Sequence, residues 1–277
     1  MTPRTSFATR LSALRGALLP VGLLILWELA SRAGLFSAVV LPPPSAVAAR
    51  WVQSLVPALP YDPQSQSYGE WLLSGELPHD AVASLGRVVA GFAIGVGLAL
   101  PVGLLMGTSD RLYGLVNPLL QILRPIPPIA YIPLAIVWFG LGNPPALFLI
   151  ALGTFFPVLV NTIAGVRQVD SIYIRAARNL GAGPWTLFRR VILPAASPFV
   201  LAGMRIGIGT AFIVVIVAEM IAVSDGLGYR ILEAREYMWS DKIIGGMLTI
   251  GLLGLLIDAA MSRLNDHLLR WHRGLER

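Results

Sequence analysis

Reactive residue types are scarce in this chain of 277 residues, and their spacing excludes several kinds of chemistry. There is no cysteine, which excludes disulfides, thiolate metal ligands and thiol nucleophiles. The single lysine, Lys242, follows Asp241, so the Gly-Lys-Ser/Thr of a Walker A nucleotide loop is absent. The three histidines lie outside the long apolar stretches, and neither HExxH nor GxSxG occurs. These absences disfavour a membrane-embedded enzyme.

Charged residues inside long apolar stretches are the main candidates for function, because ionisable side chains are costly in a membrane. They are Glu28, Arg87, Arg124, Arg205, Glu219 and Asp258. Arg124 and Glu219 lie deepest, and we expect them to face a cavity or each other. A cavity-facing arginine suits an anionic cargo, whereas a structural ion pair fits the sequence equally well. Arg205 is a further pathway candidate, and Arg87, near the start of its stretch, is placed to snorkel to the interface.

Six apolar stretches are long enough to carry these residues across a membrane. The chain is 56% hydrophobic and 13% charged, with a mean hydropathy of +0.72, so it has too little polar surface for a soluble protein. A helix needs about 20 apolar residues to cross the hydrocarbon. The stretches are 17–36, 82–107, 115–140, 145–166, 199–223 and 243–260. Because the alternation typical of a β-barrel is missing, we predict an all-α membrane protein with six transmembrane helices, the first of them retained.

The charges between the stretches predict the orientation. The N-terminal tail, the 167–198 segment and the C-terminal tail are basic, whereas 37–80 and 224–242 are acidic. This alternation predicts that both termini and the 167–198 loop are cytoplasmic. The net charge of +6 then reflects topology and contact with anionic lipid, and no nucleic-acid partner is expected. The predicted parts are 1–40 (tail and first helix), 41–80 (outer segment) and 81–277 (core domain).

Prolines interrupt the third stretch. Pro125, Pro127 and Pro128 follow Arg124, and Pro133 comes soon after. Each proline removes a backbone donor and clashes with the preceding turn, so we predict a kinked or partly unwound helix. Irregular backbone in a membrane is tolerated beside protein or water. The functional interpretation is a helix that lines a translocation pathway, and the alternative is a kink that merely fits its neighbours.

Pairs of glycines at GxxxG spacing allow helices to approach closely. They are Gly91/Gly95, Gly103/Gly107 and Gly203/Gly207. The sequence leaves open whether they serve packing within the chain or dimerisation.

The 167–198 segment is more organised than a simple connector. Asp170 is placed to cap a helix that runs to Leu180, with Gly181 just beyond its end. Pro184 suits the first turn of a second short helix. Two interpretations stay open: interfacial helices that lie on lipid, or a docking element for another protein.

The same segment resembles the EAA loop of ABC-importer permeases. The matching residues are Arg175, Ala176, Ala177, Gly181, Ile192 and Pro194, with Arg175 where the family pattern has glutamate. Further segments are similar to the nitrate/sulfonate/taurine/bicarbonate branch of that family. They are 41–47, 84–92, 124–128, 138–140, 155–162, 203–206, 217–220 and 226–229.

The resemblance implies a type I importer (MetI-like) transmembrane domain in the bacterial inner membrane, working as a homodimer. It implies that the solute, a sulfonate, nitrate or similar small anion, is delivered by a periplasmic or lipid-anchored binding protein. It also implies that residues 170–183, with Asp170 as cap, form the coupling helix for a separate ATPase subunit that holds ATP and magnesium. This chain would then be no enzyme and hold no cofactor. An ion-coupled secondary carrier or channel is the alternative, although no internal repeat supports it.

Overall fold

The computed structural model describes residues 7–57, 60–63 and 67–269, with side chains from residue 18 onward. Within these ranges all regular structure is helical, which confirms the predicted all-α class. In chain order the α-helices are α1 (Phe7–Arg32), α2 (Pro44–Leu55), α3 (Tyr68–Leu72), α4 (Glu76–Thr108), α5 (Asp110–Leu123), α6 (Ile132–Phe139), α7 (Asn143–Arg167), α8 (Ser171–Asn179), α9 (Pro184–Leu187), α10 (Leu193–Ala222), α11 (Leu227–Glu236) and α12 (Ser240–Leu268).

Four of the described helices are long and apolar enough to cross a membrane: α4, α7, the continuous helix Pro184–Ala222 and α12. A fifth crossing is formed if α5 and the bent segment after it count as one span. Helix α1 covers the first predicted stretch, and its crossing stays a prediction.

The contacts within the chain divide it into two units. The first consists of Met1–Pro78 and Arg230–Thr249, and the second of His79–Tyr229 and Ile250–Arg277. In the first unit the Trp51 indole donates a hydrogen bond of 2.9 Å to the Thr249 hydroxyl, and the Lys242 ammonium lies 2.9 Å from the Glu76 carboxylate. The second unit contains the candidate site.

Helix α7 is the centre of the second unit, and the predicted glycine pairs pack against it. A Cβ added to Gly91, Gly95, Gly103 or Gly107 of α4 would lie 2.5–2.8 Å from atoms of α7. On α10, a Cβ added to Gly203 would lie 2.7 Å from the Asn161 side chain of α7. These glycines therefore serve close helix packing inside the chain.

The predicted break in the third stretch is confirmed. Helix α5 ends at Leu123, a short 3₁₀ turn follows over Pro128–Tyr131, and the chain direction changes by 82° before α6 ends. Pro127 has the extended backbone (φ −62°, ψ 139°) that a residue before proline prefers. The prolines thus end one helix and start the next in a new direction.

The segment after α7 confirms both predicted helix signals. The Asp170 carboxylate accepts a hydrogen bond of 2.8 Å from the Ile172 N–H at the start of α8. At its end, Gly181 has φ +80°, and the N–H groups of Gly181 and Ala182 donate to the Arg178 and Ala177 carbonyls. This is the Schellman arrangement, which needs a left-handed residue and therefore favours glycine.

The second predicted short helix is not a separate element. It begins at Pro184 as expected, but a π-helical turn over Phe188–Ile192 joins it to α10. The wider turn directly before Pro194 makes room for its ring, so this proline continues the helix instead of ending it. The predicted second short helix is therefore continuous with the helix of the fifth stretch.

Candidate functional site

A buried polar cluster joins α4 to α10 and to the loop that follows α10. It consists of Asp80, Ser84, Arg87, Glu219 and Asp225. Glu219 is completely buried and Arg87 is 7% exposed. The Arg87 guanidinium donates to the Glu219 carboxylate at 2.7 Å and to the Asp225 carboxylate. The Ser84 hydroxyl donates to the other Glu219 oxygen at 2.8 Å. Each charge in this cluster is thus met at short range, as burial demands.

The turn that starts α11 completes the cluster with backbone donors. The N–H of Gly228 donates to Glu219 at 2.9 Å, and the N–H of Leu227 donates to the Ser84 hydroxyl at 2.9 Å. Gly226 has φ +101°, and a Cβ there would lie 2.5 Å from the Glu219 carboxylate. Only glycine fits this turn, because a side chain would strain the backbone and collide with the buried acid.

This cluster corrects two expectations about the in-span charges. Glu219 meets Arg87 rather than Arg124, and it lines neither of the two cavities that meet at Arg124. The place of Glu219 on the translocation pathway stays a prediction. Arg87 does not snorkel to the interface, because its side chain is buried and its guanidinium also donates to the Asn143 side-chain oxygen at the start of α7, at 2.7 Å.

Two cavities meet at Arg124, directly after the end of α5. The larger, of about 550 Å³, lies between α5 and α7 and is lined by Tyr113, Asn117, Leu120, Gln121, Arg124, Pro125, Phe156, Val160, Ile163, Ala164 and Arg167. The smaller, of about 280 Å³, is lined by Arg124, Ile126, Pro128, Leu152, Gly153, Phe156, Pro157, Val160, Asn161, Ile206 and Thr210. Arg124 is the charged residue common to both.

Arg124 is the cation that these cavities leave available. Among the described residues its side chain makes no ion pair or hydrogen bond, whereas Arg167 pairs with Asp110 at 2.9 Å and lies 4.3 Å from the centre of the Tyr113 ring. Arg124 occupies the C-cap position of α5, where the free carbonyls of a helix end favour a positive charge. The arrangement can therefore hold an anion between walls that carry both apolar and polar side chains.

The other predicted pathway residues divide between the cavities and the rest of the unit. Pro125 lines the larger cavity and Pro128 the smaller. Pro127 is the cap of the 3₁₀ turn. Arg205 lines neither cavity and forms a two-point pair with Asp258, with both contacts at 2.9 Å.

The predicted coupling residues lie on two consecutive elements. Arg175 and Ala176 are exposed on α8, Ala177 is half-buried, and Gly181 is exposed at the helix end. Ile192 and Pro194 belong to the π turn and to α10. Large apolar side chains are also exposed here, namely Ile172, Tyr173, Leu180 and Trp185.

Comparison with known proteins identifies the kind of molecule. Residues 99–274 match the family described as binding-protein-dependent transport system inner membrane component. The chain belongs to this family. The match spans Arg124, both cavities, α8 and Glu219.

Two curated relatives resemble the permease over most of its length. The putative aliphatic sulfonates transport permease protein of Bacillus subtilis is 36% identical, over 95% of this chain and 89% of the relative. The taurine transport system permease protein of Escherichia coli is 33% identical, over 90% of this chain and 86% of the relative. These similarities confirm the branch that the sequence motifs indicate.

A solved structure shares the fold of the permease. It is an inward-facing form of the MetNI methionine ABC transporter, with a TM-score of 0.63 and 21% identity, covering 73% of this chain and 99% of that chain. The permease is therefore a multi-pass membrane component of an ABC importer with the MetI-type fold, and it is not itself an enzyme.

Sequence reasoning missed most partners in both regions. Arg87 and Glu219 are 132 positions apart, and Arg205 and Asp258 are 53 positions apart, so no local pattern connects them. The polar residues that line the smaller cavity, Asn161 and Thr210, also carried no sequence signal. The glycines at 226 and 228 were a usable signal, because glycines flanking one residue mark a tight turn.

Proposed function

We propose that the permease forms the translocation pathway of an ATP-driven importer for a small anion such as a sulfonate or nitrate. The observation that carries the proposal is Arg124, a cation on the wall of both cavities whose side chain has no partner among the described residues. A guanidinium binds planar or tetrahedral oxyanions through several donors at once. The relatives named for aliphatic sulfonates and taurine support the sulfonate group as the recognised chemistry.

We propose three protein partners for the permease: a second copy of the chain, an ATPase subunit that holds ATP and magnesium, and a solute-binding protein on the outer side. The basic 167–183 segment and both termini would then face the cytoplasm of a bacterial cell, in its inner membrane. The absence of a Walker A loop in the sequence and the exposed apolar side chains around α8 support a separate motor that docks there.

In this proposal, residues 170–183 transmit movement of the ATPase to the membrane helices. The buried polar cluster holds α4, α7 and α10 together, so these helices move as one body. Rigid-body movement of such bodies against each other opens the pathway alternately to the two sides.

Reconstitution tests the proposed function. The tagged permease is purified in detergent and examined for a co-eluting ATPase, and the complex is then placed in vesicles with the binding protein encoded beside it. We expect uptake of labelled taurine or nitrate that requires ATP hydrolysis and stops with a non-hydrolysable analogue. Uptake by the permease alone, driven by an ion gradient, would instead support the secondary carrier.

Replacement of Gly181 by leucine tests the coupling role. Leucine in the left-handed conformation costs roughly 1–3 kcal/mol, although nothing lies within 4 Å of an added Cβ. We expect the α8 end to be displaced, ATP-driven uptake to fall about tenfold, and the protein to remain in the membrane. The control is Gly114→Leu, because Gly114 lies within α5, outside residues 170–183, and has equally open surroundings. Normal uptake by Gly181→Leu would refute the coupling role.

A further inference from the structure

One exposed face of α8 carries a cation, Arg175, that has no partner among the described residues. Residues Ile172, Arg175, Ala176 and Asn179 share this face and are exposed, whereas Ile174 on the opposite face is half-buried. Residues three and four apart are neighbours on a helix surface. Helix α8 contacts α9 and the π turn, so its half-buried face is already occupied within the chain. We name the exposed set Ile172, Arg175, Ala176 and Asn179 the α8 face.

The charge on and beside this face is not compensated within the described chain. Helix α8 contains Arg175 and Arg178 and no acidic residue. The nearest acid, Asp170, uses its carboxylate to cap the helix. Neither arginine side chain forms an ion pair or hydrogen bond among the described residues. A surface that buries this face must therefore supply a carboxylate, because an unpaired buried guanidinium is strongly unfavourable.

We infer that the ATPase subunit receives the α8 face in an acidic groove whose carboxylate pairs with Arg175, and that this pair selects which ATPase the permease accepts. The inference rests on the proposed function. The family pattern has glutamate at position 175, and a cation in the groove of the ATPase would pair with such a glutamate. Arg175 reverses that requirement, so a groove built for glutamate repels this permease. Like-charge repulsion of this kind is an effective source of specificity between partners.

A protein groove fits the α8 face better than a lipid surface does. A helix that lies on a membrane presents a continuous apolar side with its cations at the margins. The α8 face instead carries one large apolar side chain, Ile172, and its other members are Arg175, Ala176 and Asn179, so no continuous apolar side is present. The small side chain of Ala176 lets a partner protein approach α8 closely. The guanidinium of Arg175 can then bind a carboxylate of that partner through two hydrogen bonds.

Zero-length cross-linking locates the predicted carboxylate. Arg175→Lys keeps the positive charge and adds a primary amine to a chain whose single native lysine is Lys242. Carbodiimide treatment of the intact complex is expected to join position 175 to an aspartate or glutamate of the ATPase subunit, identified by mass spectrometry. The control is Arg111→Lys, an exposed position on α5, which should give no such product. A complex that retains the ATPase but yields no cross-link from position 175 would overturn the inference.

Charge reversal tests the selection of the partner. We expect Arg175→Glu to lower uptake and permease-dependent ATP hydrolysis at least tenfold, and substitution of the cross-linked carboxylate by arginine to restore both. Arg111→Glu should retain the wild-type values. Full coupling by Arg175→Glu would refute the inference while the proposed function stands. If the wild-type permease brings no ATPase with it, the proposed function itself fails.

Discussion

Arg87 and Arg124 both lie in stretches predicted to cross the membrane, and their surroundings are opposite. Arg87 is buried between two carboxylates, an amide and the turn at Gly226. Arg124 lies on the open wall of two cavities without a side-chain partner among the described residues. The comparison shows that a charge in a membrane stretch is structural where the chain neutralises it. It is available for function where the chain leaves room beside it.

The two regions stabilise their charges by different means. At Arg87 the compensation comes from carboxylates and from backbone N–H groups that hold Glu219. At Arg124 the free carbonyls at the end of α5 supply a partial negative charge, and the cavities admit water or solute. The hydrogen bonds and ion pairs around Arg87 leave no place for a ligand, whereas Arg124 can still bind an anion.

Of the three arginines, Arg87 should give the largest effect when it is removed, and the effect should be a loss of stability. Arg87→Ala leaves Glu219 buried without its cation, which costs about 3–5 kcal/mol. We expect the protein to accumulate poorly and to lose several degrees of thermal stability in detergent, measured by size-exclusion chromatography after heating. Arg111→Ala, an exposed arginine in the same unit, should stay within about 0.5 kcal/mol of wild type. Equal stability of the two variants would show that the cluster is not structural.

Removal of Arg124 should lower uptake strongly without unfolding the protein. Loss of a charge-assisted hydrogen bond of about 1.5–3 kcal/mol corresponds to roughly a 10- to 100-fold decrease in uptake. We expect Arg124→Ala to show this decrease with unchanged thermal stability, and Arg124→Lys to retain part of the activity. Uptake of the identified solute at the wild-type rate by Arg124→Ala would remove Arg124 from the pathway.

Arg205 provides an intermediate case with the smallest expected effect. It is paired like Arg87, but the Arg205 and Asp258 side chains are 46% and 60% exposed. An exposed ion pair contributes only about 0.2–1 kcal/mol. A double-mutant cycle with Arg205→Ala and Asp258→Ala should give a coupling energy in this range. A coupling energy above about 2 kcal/mol would show that the Arg205–Asp258 pair is shielded from water. Solvent exposure would then not explain why this pair differs from the one at Arg87.

Sequence predicted the features that depend on neighbours along the chain. The cap at Asp170, the left-handed Gly181 and the break after Arg124 all follow from residue types at local spacing. The failure at Pro184–Ile192 has a local cause as well, because proline normally ends a helix and a π turn is too rare to expect.

Pairing across the fold was beyond the reach of sequence reasoning. Hydropathy ranked Arg87, Arg124, Arg205 and Glu219 by depth along their helices, but it gave neither the face nor the neighbour of each charge. The glycine pairs were ambiguous for the same reason, because only the structure shows that Gly91 and Gly203 contact α7 of their own chain. Contacts between residues far apart in the sequence decide which charges are buried and paired.

Thiol accessibility tests the central claim most directly, because the chain has no native cysteine. Gln121→Cys places a thiol on the wall of the larger cavity, and Ser84→Cys places one at a completely buried position of the polar cluster. In inverted vesicles, a membrane-impermeant thiol reagent should label position 121 at least tenfold faster than position 84. Equal labelling, or no labelling at position 121, would contradict the division between an open and a sealed arginine.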